Sequence, residues 1–523
     1  MERPVNIVSA LGRAGYGPTP EEAARVGRIG WPAWVGEQLA PDEAADADCR
    51  DRLAQLRLRI HYNASEKWPA VDETRPLSLL DKPIEQAWPL FTRRAETDGA
   101  ERRRPREEVI AATILRAVHS RWQLREALVS FWHDHFNVDA YGNEAVAVAL
   151  PSYDRDVIRR HCLGNFREFI EAVAASAAMQ YYLSNRSSRA GAANENYARE
   201  LFELHTLGRE AYLNDRYDRW RDVPGALKGT PAGYIDQDIY EAARALTGWT
   251  IEDGSRIDGG RQLPETGRFA YVEAWHDGYQ KRVLGVEFQP FRKPLADGRQ
   301  VLDLVAKHPA TAKSVCTKLC RRFVGDEFSA ALLAAAVDAW TRNRAAPDQI
   351  ARVVRTILLS PDFVDARGAK VRRPLNLVAA FARGTGIDLT PTEPLWNELA
   401  NAGQRLFGWQ APTGLPDDRG SFLGAQALRR RWALVLGVAE NWWGTGAFVP
   451  ASAFGGTAMP RDAVARYLAA LQGTVDETAA AAILAGLGWP PDVPVGEPGK
   501  PETGKRLARV AAFCGMAPSF QTA

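Results

Sequence analysis

The chain is poor in the residues that staple or crosslink a fold. It has five cysteines in 523 residues: Cys49, Cys162, Cys316, Cys320 and Cys514. A scattered, odd number argues for reduced thiols and against a disulfide framework. Cys316 and Cys320 are i, i+4 on a predicted helix, where two small core residues are the simpler reading than a disulfide or a two-ligand metal contact. Charge is nearly balanced, 66 Lys and Arg against 64 Asp and Glu, which leaves no global electrostatic case for nucleic acid or a membrane surface. No apolar run reaches about 18 residues, so no membrane span is expected. The opening MERPVNIVSALGRAGYG lacks the apolar stretch of a signal peptide, and the expected location is cytoplasmic. There is no P-loop, no G-x-G-x-x-G before a helix, no G-x-S-x-G and no H-E-x-x-H. A nucleotide cofactor is therefore not expected, and the common ATPase, Rossmann and serine-hydrolase readings lack their parts.

What is present is mostly helical periodicity. Sixteen Trp and 46% hydrophobic residues suit a large helical body with aromatic keystones, or a groove for a sugar or peptide. In GPTPEEAARVG, Thr19 is placed as N-cap and Pro20 at the first helical position. Helical rhythm runs from Glu107, again over Gln123 to Phe136, and over Phe166 to Tyr182. Residues 58–107 read as irregular because of five prolines, and Arg102 to Arg104 as a solvated basic face. Residues 249–300 read as strand and loop. The expected fold is all-α, with a small β-hairpin-like flap around 249–290. Residues 1–450 are expected to form the main helical body carrying the inserted flap 249–300, and residues 451–523 a C-terminal helical segment packed on it. GQRLFGWQAPTGLPDDRG at 403–420 cannot be helix.

Two stretches concentrate chemistry. In FWHDHFN, His133 and His135 flank Asp134, with Trp132 and Asn137 adjacent; such polar groups are costly in a core without partners. In NENYARELFELHTLG, Asn196, Arg199, Glu200 and Glu203 share one helical face, whereas His205 lies about 160° from Glu203. Glu200 and Glu203 could converge on a cation, on Arg199 or on a shared proton. Asp236 is the natural N-cap of YIDQDIYEAARALTGW, and Asp238 sits in its first turn. His276 and Asp277 fall in the flap, near Trp249.

FWHDHFNV, NENYARELFELHTLG, YIDQDIYEAARALTGWTI, HDGYQKRVLG, HPATAKSVCTKLCRRFV, LLSPDF, KVRRPLNLV and the closing MAPSFQ occur in an order that resembles the domain-of-unknown-function 1800 family over essentially the whole chain. LGRAGYGPTPEE is similar to its opening. The resemblance implies a predominantly helical protein of no generally established activity. It also implies a co-encoded, sulfatase-like partner, and many relatives look exported. The chain departs from the family in having no evident signal peptide, in Asp134 where Asn is common, and in a long insertion between Gly208 and Tyr234.

These readings lead to a metal-dependent enzyme, oxidising or hydrolysing a peptide or small molecule. His133, His135, His205 and His276 are the expected ligands of a transition ion (Fe, Cu or Zn). Glu200, Glu203, Arg199 and Asp238 are expected as catalytic groups, and Asn196, Trp132 and Trp249 as substrate contacts. The alternative is a non-catalytic binding or maturation partner of a co-encoded enzyme, with the polar motifs forming a buried structural network.

Overall fold

A computed structural model describes residues 5–257, 260–366, 368–448, 459–490, 492–497 and 499–523. The expected mainly helical class holds: 57% of the chain is helical. Among the described residues the strands form three two-stranded antiparallel sheets. The expected flap is two successive hairpins, Trp249–Asp253 with Glu265–Tyr271 and Lys281–Val283 with Val286–Phe288. The third hairpin corrects the irregular reading of 58–107. Arg57–Tyr62 pairs with Val71–Pro76, burying Leu58 and Ile60 on one face. No described helix is long and apolar enough to cross a membrane.

The central element is the 21-residue helix Gly99–His119. Asp98 caps it by accepting from the Ala100 amide. Pro105 is tolerated inside it, in its second turn, where an i→i−4 bond is lost but the helix continues. The arginine run is only partly solvated. Arg104 is buried and pairs with buried Glu108, whose other oxygen accepts from the Leu79 amide at 2.7 Å. This helix packs on Glu144–Ser152 and on Pro374–Thr385.

Two large apolar cores result among the described residues, beside a small cluster of Val223, Ala226 and Ile235. One gathers the helices between residues 10 and 363, with Trp34, Trp88, Trp132 and Trp249 fully buried. The other joins the C-terminal face of Gly99–His119 to Pro374–Thr385, Ala425–Ala439, Pro460–Gln472 and Pro501–Met516. The C-terminal helices therefore complete a core that begins near residue 110. The expected boundary at 450/451 lies outside the described residues. Thr19 caps Pro20–Ile29 through the Glu22 amide, as its sequence predicts.

Candidate functional site

The FWHDHFN motif closes the helix Gln123–His135. Its two histidines point to different neighbourhoods, because adjacent odd positions on a helix diverge by about 200°.

His135 faces the NENYARELFELHTLG stretch. That stretch is not one regular helix: Glu195–Glu200 is α-helical and Leu201–His205 forms a π-helical turn. A helix end leaves carbonyls without partners. Here they are supplied from several places. Thr206 Oγ1 donates to Leu201 O, and the Gly208 amide donates to Phe202 O at 3.0 Å. Lys318 Nζ donates to Leu204 O at 2.8 Å, and His135 Nε2 donates to His205 O at 3.0 Å. His135 Nδ1 is left to accept from Lys318 Nζ at 3.3 Å. Burial, aided by Lys318, holds the His135 imidazole well below its usual range and His205 at about 3. Burial pulls the Lys318 ammonium down to about 8. The His205 and His135 rings lie 6.3 Å apart, and neither His205 nitrogen has a partner among the described residues.

His133 faces the other way. Its Nε2 donates to Asp154 Oδ1 at 2.9 Å, which leaves Nδ1 as the nitrogen able to take a proton. Asp154 Oδ2 accepts from Arg159 Nε at 2.8 Å, and Arg159 forks onto both oxygens of Glu126 at 2.9 Å. Burial alone would raise both carboxyls. Arg159 and Arg116 outweigh it, with His133 helping at Asp154, and both lie below the usual carboxylate range.

The roof over His133 is the segment 402–415. Phe407 stands edge-on to the imidazole, with centroids 4.8 Å apart, and holds a left-handed φ of +56° that is rare for a bulky residue. Its carbonyl accepts from the Ala140 amide at 2.9 Å. Asn137 Nδ2 donates to Trp409 O and Ala411 O, each at 2.9 Å. Arg373 pairs with Asp134 at 2.5 Å and donates to Leu415 O and Pro416 O. Between roof and helix is a cleft of about 50 Å³, lined by Tyr16, Glu126, His133, Asn137, Arg159 and Trp409. The Trp409 indole N–H is buried without a partner among the described residues. An unpaired donor beside an oriented imidazole invites an acceptor atom.

A family model described as a protein of unknown function (DUF1800) matches residues 9–522. The chain belongs to that family. No curated protein and no solved structure matches it.

Several expected site residues of this DUF1800 chain stand elsewhere. His276 bonds Thr247 O at 2.9 Å and Asp297 Oδ2 at 3.3 Å, and Asp297 also receives Lys281. Asp238 is a structural clamp. It accepts from the Ile235 amide at 3.0 Å and the Leu284 amide at 2.6 Å, tying the helix start to the flap. Burial still raises its carboxyl to about 6. The helix begins at Asp236 with Ile235 as its cap, because Asp236 instead receives Arg199 at 3.0 Å and Tyr212 at 2.7 Å. Arg199 therefore does not bridge Glu200 and Glu203. Glu203 pairs with Arg209; burial and then Glu203 raise Glu200. Asn196 is exposed. The Trp132 indole donates to Cys162 O at 3.0 Å, and Trp249 is packed under Gly298.

The four histidines thus occupy three environments, and a shared ion needs ligands at about 2 Å. Among the described residues no three His, Cys, Asp or Glu side chains are grouped to hold a metal. The described residues do not fit the expected transition-metal centre. The residues that sequence reasoning missed are Glu126, Arg159, Phe407 and Trp409, which line the cleft, and Asp154, which holds His133 and Arg159. For Phe407 and Trp409 the one sequence signal was the Gly- and Pro-rich 403–420 stretch; Glu126, Asp154 and Arg159 had none.

Proposed function

We propose that the protein is an enzyme that works by acid–base chemistry at the 50 Å³ cleft, hydrolysing a small molecule or a peptide whose polar group enters it. The observation that carries this reading is the His133–Asp154 pair at 2.9 Å, held by Arg159 beneath a strained roof residue. A carboxylate on Nε2 fixes the tautomer and stabilises the imidazolium that forms when Nδ1 accepts a proton. His133 takes a proton from the attacking water and returns it to the leaving group. Trp409 Nε1 donates to the substrate oxygen that gains charge. The inner cleft has room for one or two water-sized groups, which suits a reacting group with its substrate body outside.

The test is a mass-spectrometric survey of ester and peptide libraries with wild type, His133→Gln and Trp409→Phe. The expected result is a turned-over class lost by at least about 100-fold in His133→Gln, the usual span for a general base. Equal turnover by a folded His133→Gln protein sinks the proposal.

A second reading, a binding partner for another protein, draws on a different region. Tyr217, Tyr240, Tyr279 and Phe291 are large and exposed, and Tyr279 and Phe291 pair edge-to-face at 5.6 Å. Partner capture lost in a Tyr279→Ser, Phe291→Ser variant that keeps its melting temperature would favour it.

A further inference from the structure

A second cavity, of about 300 Å³, lies between the helix Ile7–Ala14, the end of the helix Pro460–Gln472 and the segments near Arg372 and Thr522. It is at the lower end of the size range of small-molecule sites. Val8 and Leu471 give it apolar wall. Three polar side chains on its lining are more than nine-tenths buried: Ser9 at 8%, Arg372 at 5% and Gln472 at 7% exposure. Ser9 Oγ, Arg372 Nη1 and Gln472 Nε2 have no hydrogen-bond partner among the described residues. Buried polar atoms are paired in the great majority of cases, so three orphans on residues that line one cavity need an explanation.

All three can donate. Gln472 Oε1 already accepts from the Ser519 hydroxyl at 2.7 Å, which leaves the amide NH₂ as its free half. Arg372 Nε donates to Phe520 O at 2.9 Å, and the guanidinium lies over the Phe520 ring at 5.0 Å. No carboxylate among the described residues is in ion-pair contact with Arg372. Behind it a cavity of about 20 Å³ is lined by Arg13, Arg322, Lys370 and Arg373 as well. Among the described residues, only Asp134 and Asp417 pair with that group. Burial draws Arg13 and Arg372 down to about 10, as expected of cations short of counterions. Ala523 borders both cavities, and its backbone N–H and C=O are already engaged with Lys370 at 2.8 and 3.3 Å.

We infer that the 300 Å³ cavity binds a small molecule through an oxyanion group, a carboxylate or a phosphoryl, received by Arg372, Ser9 and Gln472. An acceptor-only group satisfies three donors at once, and a guanidinium matches it in charge and geometry. The site is separate from the His133 cleft and does not depend on the reaction proposed there.

The experiment is thermal denaturation of the full chain at constant ionic strength, with chloride replaced stepwise by acetate or by inorganic phosphate. Variants are Ser9→Ala, Gln472→Leu and Arg372→Gln. The expected result is a saturable rise of roughly 3 °C in wild type, absent in Arg372→Gln and needing several-fold more anion in Ser9→Ala and Gln472→Leu. Response to acetate alone assigns a carboxylate, and response to phosphate alone a phosphoryl group. Should Arg372→Gln fail to fold, the other two variants decide. No rise with either anion, or equal rises in wild type, Ser9→Ala and Gln472→Leu, overturns the inference and shows that the cations are balanced within the chain.

Discussion

Gly414 sits against the backbone of Asp134 so closely that a Cβ on it would fall 1.9 Å from the Asp134 carbonyl oxygen. Its φ of +71° is equally closed to other residues. The roof of the cleft can therefore seat on the FWHDHFN motif only with glycine here. Gly414→Ala is expected to cost well over 1 kcal/mol in denaturant unfolding, more than an ordinary Gly→Ala in a loop. It should also raise backbone amide exchange at Ala140, whose N–H donates to the roof carbonyl of Phe407. A variant as stable as wild type means the roof is not held as described.

Asp154 anchors both His133 and Arg159 in the interior. Asp154→Asn leaves Arg159 with half its carboxylate partners, and breaking a buried pair costs on the order of 3–5 kcal/mol. The pH sign follows from its depressed carboxyl. A carboxylate held below its unfolded value near 3.8 contributes its stability above that pH and loses it only as pH falls through the folded value. Urea midpoints should thus differ most between wild type and Asp154→Asn above pH 4, and converge in strong acid.

Asp238 has the opposite sign. Its carboxyl is raised to about 6 by burial, so its contribution is complete below about 3.8 and is lost as pH rises through about 6. Carbon-13 NMR of the carboxyl should show a midpoint near 6, and Asp238→Asn should flatten that part of the stability profile. A midpoint near 4 would contradict the burial argument.

The two motif histidines should separate cleanly on mutation. His135→Leu leaves His205 O without its donor, at a cost of about 1–3 kcal/mol. His133→Gln keeps a side chain able to reach Asp154 and should change the melting temperature less. If His133→Gln is the more damaging to stability, the imidazole is structural rather than chemical.

Trp409→Phe removes an indole N–H that has no partner among the described residues. Loss of an unpaired group carries no hydrogen-bond penalty, so stability should stay within about 1 kcal/mol of wild type. Turnover of any substrate found should nonetheless fall. A large stability loss with unchanged turnover would reassign the indole to packing.

Much of the fold was legible because caps and helical rhythm are local. Thr19 and Pro20 begin a helix as their chemistry dictates, and the divergence of Glu203 from His205 follows from helical phase. The site was less legible because its geometry is not local. His133 and His135 are two residues apart, yet one is placed by Asp154 and the other by Lys318 and a helix end. Nothing in FWHDHFN names those partners. The Arg57–Tyr62 strand was readable from its alternation, but the surrounding prolines masked it. The π-helical turn at Leu201–His205 had no signal at all, since it depends on donors at 135 and 318 to satisfy its carbonyls.

The roof and floor of the cleft lie far apart along the chain: Asn137 reaches a carbonyl 272 residues later. During synthesis the helix bearing His133 must wait, roofless, while those residues emerge, about 15–55 s at ordinary ribosomal speeds of ~5–20 residues per second. Closing so long a loop also delays the contact after release. The cleft is accordingly among the last features to be completed, and a chain truncated before Arg405 should retain a helical core while lacking the pocket in which His133 works.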